Sequence, residues 1–124
     1  MSDLSGYKRM RGRRLLVVED DYLVADELRQ NLTGVGVLVV GPVPTVAKAL
    51  QIVQSGVALD GAILDVNLGG EKVFSLVDVL RHKKIPAVFL TGYDRSAIPA
   101  AYADIPLCEK PADARETVGA LGLS

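Results

Sequence analysis

Short, continuous apolar runs alternate along the chain with segments whose apolar residues recur at helical spacing. Continuous apolar character, rather than strict alternation, is typical of parallel strands that are covered on both faces by helices. The pattern therefore predicts an α/β fold with a doubly wound five-stranded parallel sheet. The five runs are LLVV from Leu15, VLVVGP from Val37, GAILD from Gly61, PAVFLT from Pro86 and the shorter PLCEKP from Pro106.

The segments between the runs carry apolar residues at intervals of three and four, the period of an amphipathic helix. Glycines or basic residues close these segments, and Asp113 suits the N-cap of the last one. The expected helices run from Val24 to Gly34, from Val46 to Gly56, from Val73 to His82 and from Asp113 to about Leu121.

The interval between the fourth and fifth runs departs from this regularity. It contains Pro99 and Pro106, which cannot lie inside a regular helix without cost. The fourth helix of the fold is therefore predicted to be short or irregular.

Length and charge limit what the chain can be. Its 124 residues suit one domain with a sizeable core, predicted over 14–124, preceded by a basic N-terminal tail over 1–13. A net charge of −1 argues against nucleic acid as the main ligand. No apolar run approaches the length of a membrane span and no signal peptide is evident, so a cytoplasmic protein is expected. The single cysteine, Cys108, is predicted to be a core residue.

Polar residues with reactive side chains stand where the apolar runs end. A strand, a helix and two loops occupy roughly 20 to 28 residues. Asp20 and Asp65 are 45 residues apart, or two such units, and Thr91 follows Asp65 by 26 residues. Lys110 comes directly after the fifth run. Glu19, Asp20, Asp65, Thr91 and Lys110 can thus converge on the carboxyl-terminal rim of the sheet, where open α/β sheets hold ligands.

The chemistry of this set points to phosphate. Three carboxylates repel one another unless a divalent cation or the Lys110 ammonium lies among them, and an all-oxygen ligand set favours Mg²⁺. A hydroxyl and an ammonium beside Mg²⁺ suit the oxygens of a phosphoryl group, so Asp65 is a candidate nucleophile that becomes an aspartyl phosphate. Taken alone, Asp65 has a simpler interpretation, an Asp that hydrogen-bonds its own loop backbone.

Four motifs in this order and spacing, VVEDD, ILDVNL, FLTGY and EKP, resemble the receiver domain of two-component response regulators. The resemblance runs from Arg14 to about Leu121 and implies a flavodoxin-like sheet with strand order 2-1-3-4-5. It also implies roles for the residues at the rim. By this resemblance, Asp65 is the phosphoacceptor and Thr91 is the switch hydroxyl. Asp20 binds Mg²⁺ directly, Glu19 acts largely through water, and the backbone carbonyl of Asn67 completes the metal site. Lys110 is the lysine of the receiver pattern, and a cis peptide joins it to Pro111.

One position departs from the receiver pattern. Leu107 stands three residues before the lysine, where receivers usually have Tyr or Phe, which puts the ordinary Thr-to-aromatic switch in doubt. Together with PAVFLTGYD, this feature resembles the stand-alone receivers of the FAT GUY type in alphaproteobacteria. In that group the aromatic after the switch residue, here Tyr93, is a candidate replacement, and the alternative is a partly packed loop residue.

The sequence thus predicts a phosphoacceptor signalling domain, not an enzyme in the ordinary sense, which assists its own phosphorylation and dephosphorylation. His82 lies among basic residues at a helix end, where it suits a partner of the helix dipole better than a carrier of phosphate. The phosphoryl donor is therefore expected to be another protein, a histidine kinase or a histidine phosphotransfer protein. No output domain follows Leu121, so the output is expected to be binding to a downstream protein or onward transfer.

Two alternatives remain at this stage. A Mg²⁺-dependent phosphatase with an aspartyl nucleophile would need a general acid, and Asn67 cannot protonate a leaving group as an Asp would. A degenerate receiver could bind a partner constitutively. Against this second alternative stands the intact set of site residues, Asp20, Asp65, Thr91 and Lys110. Leu107, in place of the usual aromatic residue, mildly favours it.

Overall fold

Five strands form one parallel sheet in the computed structural model, which describes residues 10–68, 71–92, 98–110 and 114–122. The strand order is β2-β1-β3-β4-β5, as predicted, and a separate two-residue antiparallel hairpin of Asn67–Leu68 with Glu71–Lys72 follows β3. The strands are β1 (Arg14–Val18), β2 (Leu38–Val43), β3 (Gly61–Asp65), β4 (Ala87–Thr91) and β5 (Leu107–Glu109).

Helices cover both faces of the sheet and begin close to the predicted positions. Asp21 caps α1 by accepting hydrogen bonds from the amides of Leu23 and Val24, and Thr45 caps α2 by accepting one from Lys48. Asp113, the expected cap of the last helix, lies outside the described residues. The helices are α1 (Tyr22–Gly34), α2 (Val46–Gln54), α3 (Phe74–His82) and α4 (Ala114–Ala120).

The apolar residues divide into two cores, one on each face of the sheet. Helices α2 and α3 pack on one face, and α1 and α4 pack on the other. Every residue of β3 and β4 is buried, which explains why their sequences are continuously apolar. Cys108 is buried in the core beneath α1 and α4, as predicted. Met10 is also buried in this core, so the packed structure begins before β1.

Strand β2 lies at the edge of the sheet and is less buried than its neighbours. Its backbone turns at Gly41, which has φ +97°, where a Cβ atom would lie 2.9 Å from the amide nitrogen of Val43 and 3.0 Å from the carbonyl oxygen of Val17. Only glycine fits this position without strain. The strand then continues to Val43, whose carbonyl accepts a hydrogen bond from the Glu19 amide at 3.0 Å.

The connection between β4 and β5 confirms the prediction of a short or irregular fourth helix. Its described part contains a single 3-10 turn, Ala100–Tyr102, which begins directly after Pro99. Pro106 precedes β5, and its carbonyl accepts a hydrogen bond from the Phe89 amide at 2.8 Å. The two prolines therefore bound the segment instead of lying within a helix.

None of the helices in the described ranges is both long enough and apolar enough to cross a membrane.

Candidate functional site

The strand register brings the candidate residues to one rim of the sheet. Val18 pairs with Leu64, so Glu19 and Asp65 leave β1 and β3 side by side. Asp65 pairs with Leu90, which places Thr91 next along the rim. Lys110 follows β5, and its amide donates a hydrogen bond to the Thr91 carbonyl at 2.9 Å. The convergence that the sequence spacing predicted is therefore present in the structure.

The Lys110 ammonium lies between two buried carboxylates. Its Nζ is 2.5 Å from Glu19 Oε1 and 3.1 Å from Asp65 Oδ2. Burial lowers the pKa of Lys110, but the interactions with Glu19 and Asp65 outweigh it and the net shift is upward. Lys110 is therefore a fixed positive charge at neutral pH.

Glu19 is the carboxylate that the protein solvates least well. Only 2% of the residue is exposed, and Oε2 accepts a hydrogen bond from the Asp21 amide at 3.1 Å. Oε1 is buried and makes contact with Lys110 but has no hydrogen bond among the described residues. Burial, followed by the nearby Asp65 carboxyl, raises the pKa of Glu19 to about 7. In the absence of a metal ion, this site thus holds more negative charge than Lys110 alone offsets.

Asp65 ends β3 and is 6% exposed. Its Oδ1 accepts a hydrogen bond from the Asn67 amide at 3.1 Å, while Oδ2 faces Lys110. The loop hydrogen bond expected of an Asp beside Asn and Gly is therefore present. It occupies one oxygen and leaves the other facing Lys110 in the charged centre of the rim.

Three carboxylates form an all-oxygen cluster that suits a hard divalent cation. Glu19, Asp20 and Asp65 each offer one oxygen, and these oxygens all lie within 4.8 Å of one another. Asp20 is exposed to solvent, whereas Glu19 and Asp65 are buried. A site of this composition, open on one side to water, matches the preference of Mg²⁺ for few carboxylates and retained water ligands.

The residues proposed for the switch are only partly described. Thr91 ends β4 and is 1% exposed, with its neighbours Leu90 and Gly92 also within the described residues. Leu107 is half-buried and packs against the core beneath α2 and α3. Tyr93, and Pro111 with the peptide bond before it, lie outside the described residues.

Neither a protein-family model nor a curated protein sequence matches the chain. Among solved structures, SdrG from Sphingomonas melonis Fr1 is 38% identical over 88% of this chain and 95% of its own, with a TM-score of 0.77. The BeF3-activated conformation of SdrG from Pseudomonas melonis Fr1 is 39% identical over 89% of this chain and 93% of its own, with a TM-score of 0.73. A response regulator receiver domain (CheY-like) from Methylobacillus flagellatus shares the fold, with 23% identity over 90% of this chain and 98% of its own and a TM-score of 0.76.

The chain belongs to the response regulator receiver family. The family prediction made from the four motifs is thereby confirmed. The receiver also matches the response regulator PhyR from Brucella abortus, with 25% identity over 99% of this chain but only 51% of that protein, and a TM-score of 0.74.

Sequence reasoning missed two features of this receiver's site. Asp21 joins the rim through its backbone, because the residue that caps α1 also donates its amide to Glu19. An Asp directly before a helical pattern is a recognised cap signal and could have been found. A cleft of about 310 Å³ also opens beside the acidic pair. No sequence signal marks this cleft, because its lining comes from separate parts of the chain. Tyr22 and Arg29 line it from α1, and Pro42 and Pro44 line it from the end of β2 and the residues after it.

Proposed function

We propose that this receiver accepts a phosphoryl group onto Asp65 from the phosphohistidine of a partner protein, as one step of a two-component phosphorelay. The observation that carries the proposal is the position of Asp65, a buried carboxylate at the sheet rim with an ammonium 3.1 Å from one oxygen. Two further carboxylates stand within 4.8 Å of it. A carboxylate so placed has a fixed cation ready for the oxygens of an incoming phosphoryl group.

In the transfer, an Asp65 oxygen forms a bond to phosphorus while the bond between phosphorus and the imidazole nitrogen breaks. The imidazole leaves with the electron pair of that bond and takes up a proton. Lys110 turns from the Asp65 carboxylate to a phosphoryl oxygen, and the Thr91 hydroxyl donates to another. Attack by water on the aspartyl phosphate later releases inorganic phosphate and restores the carboxylate.

The carboxylates of Glu19, Asp20 and Asp65, with the backbone carbonyl of Asn67, would hold Mg²⁺ in this receiver. When bound, the ion supplies the positive charge that offsets the repulsion between Asp65 and the phosphoryl donor. Asp20, on the exposed side, would be the direct ligand, and Glu19 would act largely through water, since Lys110 and the Asp21 amide already engage its oxygens.

The partners follow from this chemistry. The donor is a histidine kinase or a histidine phosphotransfer protein, and a downstream protein reads the phosphorylated form. Neither nucleic acid nor a membrane is needed for this cycle, which we place in the cytoplasm. The receiver domain includes Met10, which is buried in its core, and so begins before the boundary at 14 that the sequence predicted. SdrG, which has a BeF3-activated conformation, supports a phosphorylation-dependent state for a protein of this kind.

Intact mass spectrometry tests the proposal. With acetyl phosphate and Mg²⁺ the parent protein gains one phosphoryl group, and with EDTA it gains none. Asp65→Asn gains none under either condition. The matched control is Asp60→Asn, which removes a carboxylate just before the opposite end of the same strand and should be phosphorylated like the parent. A phosphoryl group retained by Asp65→Asn would overturn the assignment.

A further inference from the structure

Three aromatic rings form a column from the core to the surface beside the site. Phe89, two residues before Thr91 on β4, is fully buried and meets Phe74 edge-on, with ring centroids 5.9 Å apart and an interplanar angle of 87°. Phe74 is the first residue of α3 and stacks on Tyr102, with centroids 4.7 Å apart and an angle of 21°. The column therefore joins β4, the start of α3 and the 3-10 turn.

Polar contacts from α3 hold the outer end of this column. The Tyr102 hydroxyl donates a hydrogen bond to Asp78 Oδ1 at 2.9 Å, and the Arg81 guanidinium lies over the Tyr102 ring, 5.2 Å from its centroid. Arg81 also donates to the Ala101 carbonyl at 3.1 Å and forms an ion pair with Asp104. We call this set of contacts between α3 and residues 101–104 the Tyr102 clasp. It attaches the β4–β5 connection to α3.

The other end of α3 is connected to the phosphoacceptor position. The hairpin begins at Asn67, whose amide donates to Asp65 Oδ1, and it leads within a few residues to Phe74. Val73, the N-cap of α3, provides no side-chain hydrogen bond to the first turn. The start of α3 is therefore positioned by the hairpin and by the aromatic column and not by a capping side chain.

Phosphorylation changes the bonds on which this arrangement depends. When Asp65 Oδ1 is the oxygen that bonds to phosphorus, its hydrogen bond from the Asn67 amide is weakened, and loss of the carboxylate charge weakens the ion pair with Lys110. A shift of the hairpin changes the position of Phe74 relative to Tyr102, on which it stacks.

We propose that Tyr102 is the coupling residue of this receiver. The Tyr102 clasp is closed at rest and is released when Asp65 is phosphorylated. The inference rests on the proposed function, because it takes phosphorylation of Asp65 as the signal. The clasp has two states. In the closed state Tyr102 stacks on Phe74 and is hydrogen-bonded to Asp78, and in the released state it is separated from both.

Hydrogen exchange measured by mass spectrometry tests the resting clasp without any phosphorylation. Tyr102→Phe keeps the ring and removes the bond to Asp78, so exchange over 98–105 should accelerate about two- to tenfold, the effect of one lost hydrogen bond. Asp78→Ala removes the acceptor of the same bond. The control Tyr22→Phe removes a tyrosine hydroxyl from α1, on the opposite face of the sheet, and should leave 98–105 unchanged. Equal exchange in all four proteins would overturn the clasp.

The coupling is tested with beryllofluoride and Mg²⁺, with the fluorine NMR signal of the bound group as a separate readout. In the parent, binding should accelerate exchange over 98–105 at least threefold. In Tyr102→Leu, exchange should be fast at rest and change little on binding. A bound signal with unchanged or slower exchange in the parent would contradict the inference while leaving the proposed function intact. Absence of a bound signal in the parent, with the resting clasp demonstrated, would instead count against the proposed function.

Discussion

Lys110 Nζ lies 3.1 Å from Asp65 Oδ2, although 45 residues separate the two in the chain. The parallel sheet makes this contact possible, because β3 and β5 end at the same rim with only β4 between them. Asp65, the proposed phosphoacceptor, is thus already paired with a cation at rest. Under the proposed function, a phosphoryl group on Asp65 exchanges one partner of Lys110 for another.

Removal of this cation should destabilise the metal-free protein. In Lys110→Ala, Glu19 and Asp65 face each other without an intervening charge, and we expect a loss of about 1–3 kcal/mol in the free energy of unfolding measured in EDTA. Mg²⁺ should recover part of it. The matched control, Lys48→Ala on the exposed side of α2, should stay within about 0.5 kcal/mol of the parent. A Lys110 variant as stable as this control would show that the ion pairs contribute nothing.

The same variant should separate phosphorylation from its consequences. Lys110→Ala is expected to accept phosphoryl groups from acetyl phosphate in Mg²⁺, since Asp65 is intact, but to lose the exchange response over 98–105. Intact mass and hydrogen exchange on one sample measure the two effects. A normal exchange response in the phosphorylated variant would mean that Lys110 plays no part in the coupling.

The two members of the acidic pair should differ in their effect on Mg²⁺ affinity. Asp20 is exposed and available to touch the ion, whereas Glu19 is already engaged by Lys110 and the Asp21 amide. Titration calorimetry should therefore show a larger loss of affinity in Asp20→Asn than in Glu19→Gln. Equal losses would show that the roles of the pair are assigned wrongly.

The raised pKa of Glu19 predicts a pH dependence of stability in EDTA. Its folded pKa of about 7 lies above its ordinary value, so between these two values the folded protein binds more protons than the unfolded chain. This group therefore stabilises the fold at low pH, and its contribution is lost as the pH rises from about 4.5 to about 7. The stability of the parent relative to Glu19→Gln should fall over this window. A constant difference between the two would show that Glu19 titrates normally.

Substitution of Gly41, the glycine of β2, should destabilise the protein. Gly41→Ala places a Cβ against two backbone atoms at positive φ, so we expect a loss of stability of about 1–3 kcal/mol. Because the Glu19 amide bonds to Val43 just beyond it, Mg²⁺ affinity should fall as well. Gly34→Ala at the end of α1, where a Cβ meets nothing within 4 Å, is the control and should be neutral or slightly stabilising. Similar behaviour of the two variants would contradict the steric argument.

The sequence predicted the alternation of strands and helices and the convergence of the rim residues, because both depend on periodicity and on the length of a strand–helix unit. The strand order was implied by the resemblance to receiver domains. Pro99 likewise predicted the irregular fourth helix. The charge of the three carboxylates predicted that the Lys110 ammonium could lie among them. Its closer approach to Glu19 than to Asp65, and the stacking of Phe74 on Tyr102, were not predictable in this way. These contacts depend on how loops place side chains that are distant in the chain, and no local pattern encodes that distance. The role of Tyr93 stays a prediction, since it lies outside the described residues.

The most direct test of the account is chemical identification of the phosphorylated residue. Reduction of the aspartyl phosphate with borohydride converts the modified aspartate to homoserine, which peptide sequencing by mass spectrometry locates. After treatment with acetyl phosphate and Mg²⁺, the account predicts homoserine at position 65 and at no other aspartate. Homoserine at Asp20 or Asp21, or phosphorylated protein with an unmodified Asp65, would contradict it.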